Sequence, residues 1–241
     1  MQPLAERHDV NRFIAHAGGM IDGHTYTNSL EALDISYHHG FRLLELDIGR
    51  TSDSVFVAVH KWKDWQKMTG YRGTLPPSHA DFMELKLYGQ YTPLDMDAIN
   101  AWFTAHPDAI LVTDKINAPA AFSSGFKDKQ RLMMELFSTE AILEGKKAGI
   151  KSAMATWKVV EEIEGDKIQA LKQMGVTDIA ASRRIIGDNL PFLVNLKNNG
   201  IRVYVYHVNY DKGKDELYVL RNDFDYVYGM YADKFDFHPD E

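Results

Sequence analysis

The chain has 241 residues, of which 45% are hydrophobic and 25% are charged; this composition is typical of a globular protein with a substantial core. The formal net charge of -7 argues against nucleic acid as a partner, because a basic surface supplies most of the affinity for a phosphate backbone. The sequence contains no cysteine, which excludes disulfides and thiolate metal ligands.

Nothing in the sequence predicts a membrane protein. No apolar stretch approaches the roughly 20 residues of a membrane span, so we expect no stable membrane anchor. The N-terminal sequence MQPLAERHDVNRF lacks an apolar run bounded by basic residues, and no signal peptide is visible. If this is the native N-terminus, we expect a cytoplasmic protein. The sequence does not indicate an oligomeric state.

Strands and helices are predicted to alternate along the whole chain. The predicted strands are Arg12–Ala15, the stretch Phe41–Trp62 with a polar turn at Thr51–Ser54, Ala109–Thr113, Arg131–Phe137, Lys151–Thr156, Asp178–Ala181, Arg202–Val208 and Asp225–Tyr228. A helix between the first two is predicted to begin at Asn28, with Glu31 completing a capping box, and to end at Gly40. Later helices are expected to begin at Asp95, Ser138 and Pro191, and to include Ile168–Met174 and Asp211–Arg221.

Eight strands alternating with helices are the pattern of a parallel barrel, and the length is close to that of one (β/α)8 barrel. We therefore predict a single α/β domain over residues 1–241 with TIM-type architecture. Its last helix is short or absent, since little chain remains after Asp233. An open doubly wound sheet is the rival, but it needs no eighth strand and usually contains a glycine-rich phosphate loop. The segment at about 61–93 has no clean periodicity and is predicted to be a lid-like loop over a site.

The stretch Phe41–Trp62 brings several ionisable side chains together. Glu45 and Asp47 share one face of a strand, since successive side chains alternate, and two buried carboxylates repel each other. A basic side chain or a metal ion must therefore offset them. His60 follows at the end of the next alternating segment.

At the carboxyl ends of barrel strands, where barrel enzymes carry their sites, further polar residues follow. These are His16, Asp114 with Lys115, Glu135, Ser182 with Arg183, His207 with Asn209, and Asp233. Carboxylate oxygens suit a hard cation, Mg²⁺ or Ca²⁺, better than zinc. Histidines transfer protons near neutral pH. Together these groups indicate displacement at a phosphorus or carbonyl centre, with a metal stabilising charge on oxygen.

The order and spacing of several motifs resemble the glycerophosphodiester phosphodiesterase family, which is related to the phosphoinositide-cleaving barrels. The motifs are Ile14-Ala15-His16-Ala17-Gly18-Gly19, Asn28-Ser29-Leu30-Glu31-Ala32, Glu45-Leu46-Asp47 with Thr51 and Asp53, and His60. The resemblance implies a (β/α)8 barrel, a divalent metal and hydrolysis of glycerophosphodiesters. It also implies that His16 and His60 act as acid and base, and that Glu45 and Asp47 bind the metal. An adjacent substrate alcohol attacks phosphorus in some of these enzymes and forms a cyclic phosphate.

The chain departs from the family pattern at several positions. Ala17 stands where an arginine usually follows the first histidine, Thr27 replaces a glutamate, and Lys61 replaces an aspartate. The third metal ligand of the family comes from a Glu-x-Lys sequence, for which this chain offers Thr113-Asp114-Lys115. If Lys115 keeps its place, Thr113 takes the ligand position and Asp114 points away, unless the backbone twists. If Asp114 is the ligand, Lys115 shifts. Asn28 is sufficiently explained as a helix cap.

The sequence thus predicts a metal-dependent phosphodiesterase acting on a small phosphodiester, most simply a glycerophosphodiester. Mg²⁺ or Ca²⁺ is expected at Glu45, Asp47 and Asp114, and His16 and His60 are expected to share the roles of base and acid. Lys115, or Lys61 in its place, is expected to bind the phosphate. The alternatives are a phospholipase-like or capsule-related phosphodiester substrate, and a degenerate barrel that binds a phosphoester without turnover. A metal-free barrel enzyme using Glu45 and Asp47 as acid and base is a third.

Overall fold

The computed structural model describes residues 8–237, and its centre is a closed barrel of eight parallel strands, as predicted. The strands are β1 (Phe13–Ala15), β2 (Leu43–Arg50), β3 (Phe56–Ala58), β4 (Ile110–Asp114), β5 (Leu132–Leu136), β6 (Ser152–Thr156), β7 (Asp178–Ser182), β8 (Arg202–Tyr206) and β9 (Gly229–Ala232). Pairing of β1 with both β2 and β9 closes the barrel, and β3 alone is antiparallel and lies outside it.

Helices surround the barrel. They are α1 (Leu30–His38), α2 (Trp62–Thr69), α3 (His79–Glu84), α4 (Met96–Ala105), α5 (Pro119–Gly125), α6 (Thr139–Ala148), α7 (Trp157–Glu162), α8 (Lys167–Met174), α9 (Ile186–Asn198) and α10 (Glu216–Asn222). Most begin at a side chain that accepts a backbone N–H of the first turn, such as Ser138 for α6 or Asp215 for α10. Within residues 8–237, none has the length and apolar run that crossing a bilayer requires.

Four predicted elements differ in position or kind. Helix α9 begins at Ile186, so that Pro191 lies inside it, and α10 begins at Glu216 rather than Asp211 because Asp215 is its cap. The last barrel strand begins at Gly229 rather than Asp225, because the chain after α10 first turns back on Asp223, whose carbonyl accepts the amides of Tyr226 and Val227. The segment at about 61–93 contains the helices α2 and α3, packed around Trp65 and Phe82 in a small apolar cluster of its own. No helix follows β9 in the described part of the chain, in line with the expected short or missing last helix.

The barrel interior is filled by one apolar layer with a polar layer above it. The apolar layer takes one side chain from each strand, namely Ile14, Leu43, Val112, Met133, Met154, Ala180, Tyr204 and Tyr231. Side chains on the same face recur every second residue. Two residues further along each strand, towards the carboxyl ends, stand His16, Glu45, Asp114, Glu135, Thr156, Ser182, Tyr206 and Asp233. The sequence therefore builds a polar floor at the end of the barrel where sites are found.

Strand β2 continues past the barrel rim and folds back as a hairpin with β3. Ile48 pairs with Ala58, and the amide of Val59 donates to the carbonyl of Asp47 at 2.7 Å. This hairpin places His60 beside the end of β2.

Candidate active site

Glu45 and Asp47 lie side by side at the end of β2 and are almost fully buried, with exposed fractions of 1% and 2%. Glu45 Oε2 accepts the backbone N–H of Ala17 at 2.6 Å, whereas Glu45 Oε1 is buried and has no hydrogen-bond partner. Burial, reinforced by the neighbouring Asp47, holds the pKa of Glu45 well above its usual value. Burial also raises the pKa of Asp47. The pair therefore lacks the positive charge that two ionised carboxylates need.

Asn28 fixes the position of Asp47 and does not cap a helix, so the capping prediction was wrong. The cap of α1 is Ser29, whose Oγ accepts the N–H of Ala32. Asn28 has a left-handed backbone (φ 50°), donates from Nδ2 to Asp47 Oδ2 at 3.0 Å, and accepts the Asp47 N–H at 2.9 Å. The capping box is absent too, because Glu31 binds the amide and hydroxyl of Thr92.

Asp114 faces the barrel interior, which resolves the ambiguity of the Thr113-Asp114-Lys115 sequence. Asp114 is paired in register with Asp47 and lies on the same strand face as Val112 of the inner layer. Thr113 faces away and is fully buried. The backbone then twists at Lys115, whose φ of 68° returns its side chain to the site.

The ammonium of Lys115 is the positive charge nearest to the carboxylates. Its Nζ donates to Asp114 Oδ2 at 2.6 Å and lies 4.0 Å from Asp47 Oδ1. Burial disfavours the charged lysine, but the attraction of Asp114 outweighs it, and the pKa of Lys115 is raised. Lys115 therefore stays protonated and partly neutralises the floor.

His16 is held by a carboxylate on the opposite side of the floor. Its Nδ1 lies 2.9 Å from Asp233 Oδ1, and Asn209 donates to the other Asp233 oxygen at 3.1 Å. Although burial opposes ionisation of Asp233, the hydrogen bond from His16 lowers the pKa of this carboxyl. An ionised Asp233 only accepts hydrogen bonds, so Nδ1 of His16 carries the hydrogen and Nε2 is left for proton transfer.

His60 is half-buried and directly precedes the segment at about 61–93, which is called the insertion below. Its Nδ1 lies 3.9 Å from Asp64 Oδ2. Burial lowers the pKa of His60, although Asp47 attracts a proton towards it. Lys61 follows it, is exposed, and occupies the N-cap of α2. Binding of phosphate by Lys61 stays a prediction.

Tyr26 lies between the two histidines, and the sequence analysis missed it. Its ring centroid is 4.7 Å from that of His16 and 4.4 Å from that of His60. Its hydroxyl lies 2.6 Å from that of Tyr210, on the loop after β8. Burial and this hydrogen bond raise the pKa of Tyr26, so the phenol stays neutral. Only the fold brings these loops together, and a lone tyrosine carried no signal.

His207 is a third imidazole at the mouth, placed by the turn after β8. Ser182 Oγ lies 3.0 Å from its Nδ1, and burial lowers the pKa of the ring. Arg183, in contrast, is buried and paired with Asp211, so its charge is already matched within the protein.

Left-handed backbone is concentrated around this floor. Of eight non-glycine residues with positive φ in the described chain, five surround it: Ala17, Tyr26, Asn28, Lys115 and His207. Such conformations cost about 1–3 kcal/mol each and persist where the surrounding structure enforces them, often at functional sites.

The presence of Glu135 in the polar layer is explained by its hydrogen bond with a tyrosine. It is 5% exposed and accepts the Tyr231 hydroxyl at 2.6 Å. Burial, with the charge of Asp114, holds its pKa well above the usual value.

The donor set suits a hard cation, although the side chains are not arranged around one. Most of the possible metal ligands are oxygen atoms. Among them, Glu45 Oε1 is buried without a hydrogen-bond partner and is available to a cation. Within residues 8–237, no three His, Asp or Glu side chains form a group that could hold a metal ion. Asp114 is engaged with Lys115, so it would join Glu45 and Asp47 only after its side chain leaves that ion pair.

The chain is similar to known proteins in structure but not in sequence. No family model and no curated protein matches the chain. A glycerophosphodiester phosphodiesterase from Parabacteroides distasonis is similar in structure, with a TM-score of 0.70, 15% identity and 92% of each chain covered. The enzyme of this name from Thermotoga maritima has a TM-score of 0.68 and 17% identity, over 92% of this chain and 94% of that one.

A third similar structure is a phosphodiesterase from Oleispira antarctica in complex with the product sn-glycerol-3-phosphate. Its TM-score is 0.70 at 18% identity, with 92% of each chain covered. At such identities the likeness establishes a common fold. The chain therefore has the (β/α)8 architecture of the glycerophosphodiester phosphodiesterases.

Proposed function

We propose that this protein hydrolyses a small phosphodiester, most simply a glycerophosphodiester, giving glycerol phosphate and an alcohol. The observation that carries the proposal is the buried Glu45–Asp47 pair, with one Glu45 oxygen unpartnered, between two histidines at the carboxyl end of a barrel. The glycerophosphodiester phosphodiesterases of the same fold support it.

Phosphoryl transfer depends mainly on positioning and neutralisation of charge. Glu45, Asp47 and Asp114 are the proposed ligands of Mg²⁺ or Ca²⁺, which when bound would stabilise negative charge on the phosphate oxygens. Lys115 already lies 4.0 Å from Asp47 and adds a fixed positive charge. It would supply the positive charge of the arginine that the family usually has at the position of Ala17. Lys61 is the alternative phosphate ligand.

The two histidines are the proposed proton-transfer groups. Asp233 holds His16 so that Nε2 accepts a proton from the attacking hydroxyl. His60, on the opposite side of Tyr26, donates a proton to the leaving alcohol from its imidazolium form, which burial disfavours and the charge of Asp47 favours. Because each imidazole ends in the other's starting protonation state, the roles exchange if a cyclic phosphate forms first and is then opened by water.

The test is release of glycerol 3-phosphate, or of a cyclic phosphate, from a panel of glycerophosphodiesters with Mg²⁺ or Ca²⁺. His16→Ala and Glu45→Gln are each expected to reduce release about 10³-fold while leaving the fold intact by circular dichroism. Thr104→Ala, an exposed substitution on α4, serves as the control. Activity that survives both site substitutions, or is undiminished in EDTA, would rule the mechanism out.

A second candidate is binding of a phosphoester without turnover, favoured by the closed arrangement of the site. Asp114 is tied to Lys115, and Tyr26 separates the two histidines. Thermal stabilisation by glycerol 3-phosphate, with no product from any diester in the panel, would select this function over hydrolysis.

A further inference from the structure

A groove opens beside His60, outside the polar floor. It has a volume of about 350 Å³ and lies between the loop at residues 23–26 and the insertion that carries α2. Tyr26 and His60 form its inner wall, so the groove begins where the floor ends. Small-molecule sites usually occupy about 300–1,000 Å³, and a group bonded to the reacting phosphorus would extend into this space.

The outer wall of the groove is a flat aromatic surface. His24 stacks on Tyr88 with ring centroids 3.8 Å apart and planes 20° from parallel. Tyr88 is 42% exposed and has a left-handed backbone (φ 52°). A large ring held at the surface by a strained backbone provides a face on which another ring can pack.

The polar side of the groove is the carboxylate of Asp64, which lies near two basic side chains. Asp64 lies 3.9 Å from His60 Nδ1 and 3.5 Å from Lys67 Nζ, and its side chain is 38% exposed. Its oxygens accept hydrogen bonds from hydroxyl groups. Lys67 already pairs with this carboxylate, so its charge is partly matched within the protein and the groove favours a neutral ligand.

On the basis of the proposed hydrolysis, we propose that this groove binds the alcohol portion of the diester, and that this alcohol is a neutral, ring-sized polyol. One face of the ring packs on Tyr88, and hydroxyl groups donate to Asp64. The groove thereby selects the substrate by the group beyond the phosphate.

The test compares three diesters that share glycerol 3-phosphate and differ in the alcohol: myo-inositol, choline and methanol. The wild-type protein is expected to show a kcat/KM about tenfold higher for the inositol diester than for the other two. Tyr88→Ala is expected to remove most of this preference, mainly through KM. His24→Ala is expected to reduce it less. Equal kcat/KM for the three diesters, or a preference for choline, would overturn the proposal.

Tyr226→Ala is the matched control, because Tyr226 is a similarly exposed tyrosine at the opposite end of the barrel. It is expected to leave the preference unchanged. A preference that persists in both Tyr88→Ala and His24→Ala would also contradict the proposal.

Binding of free myo-inositol, followed by saturation-transfer NMR, tests the groove without turnover. Signal that is present in the wild type and lost in Tyr88→Ala supports the groove even if no diester is hydrolysed, in which case only the proposed reaction fails. Equal signal in both proteins, or none in either, rules the groove out.

Discussion

The two ends of the barrel both contain buried charged groups, but they differ in how many hydrogen-bond partners these groups have. At the amino end, Asp178 is fully buried and accepts three hydrogen bonds, from Ser152, Thr177 and Arg202. Arg12, also buried, donates to backbone carbonyls that include that of Phe224. These two buried charges are satisfied within the protein, as expected of groups that stabilise the fold.

At the carboxyl end, polar groups are buried without sufficient partners. Glu45 Oε1 and Thr156 Oγ1 have none, and the pKa values of Glu45 and Glu135 are held well above their usual values by burial. Unmet polar groups and strained backbone cost stability, and proteins tolerate them where function requires it. This difference is expected if the amino end serves the fold and the carboxyl end binds the proposed substrate.

The sharpest test of this contrast is Glu45→Gln. The amide keeps an acceptor for the Ala17 N–H but removes the charge, so we expect activity to fall about 10³-fold. Because the substitution relieves a buried carboxylate, the free energy of unfolding at neutral pH should stay equal or rise. Urea unfolding and kinetics measure both, and a large loss of stability would contradict the contrast.

Asp178→Asn tests the opposite end. Asparagine cannot accept all three of the hydrogen bonds that Asp178 accepts, whereas Arg202 is 40% exposed and remains solvated, so we expect a loss of about 2 kcal/mol in the free energy of unfolding. The kcat/KM per folded molecule should not change, since the floor is at the other end of the barrel. Reduced kcat/KM in fully folded protein would show that the ends are coupled.

Substitutions of the adjacent residues Asn28 and Ser29 test the same contrast between a residue that supports the site and one that stabilises the fold. Asn28→Ala removes both hydrogen bonds that orient Asp47, and we expect activity to fall about 10–100-fold, as for other residues that support ligands. Ser29→Ala removes the cap of α1 and should cost about 1 kcal/mol of stability with little effect on kcat/KM. The reverse pattern would restore the capping interpretation of Asn28.

The pH dependence of stability in EDTA tests the buried state of Glu135. Its pKa is raised in the folded protein, so its stabilising effect is full below the ordinary value of 4.5 and is lost as the pH rises. We therefore expect Glu135→Gln to become more stable than the wild type above that pH, by up to ~1.4 kcal/mol per pH unit. Parallel stability curves for the two proteins would show that Glu135 ionises normally.

Much of the fold, and the placement of several candidate site residues, could be predicted from the sequence. Polar residues two positions beyond an apolar strand residue predicted the floor, because strand periodicity fixes which face each side chain takes. His16, Glu45, Asp47 and Asp114 reach the floor for this reason. The pattern works because Glu45, Asp47 and Asp114 belong to barrel strands and His16 directly follows one.

What the sequence did not predict depends on backbone conformation and on contacts between distant loops. Ser29 and Asn28 are both good caps, and only the hydrogen bonds to Asp47 distinguish them. The twist at Lys115 and the meeting of Tyr26 with Tyr210 depend on the closed barrel. No local pattern encodes them.

The β2–β3 hairpin limits how changes in the sequence can affect the geometry of the site. The Val59–Asp47 hydrogen bond links the segment that delivers His60 to the strand that delivers the carboxylates, as one rigid backbone ladder. The spacing between His60 and the carboxylates is thus set by main-chain geometry. Side chains of the insertion can vary without changing this spacing, and under the proposed function the preferred alcohol would vary with them.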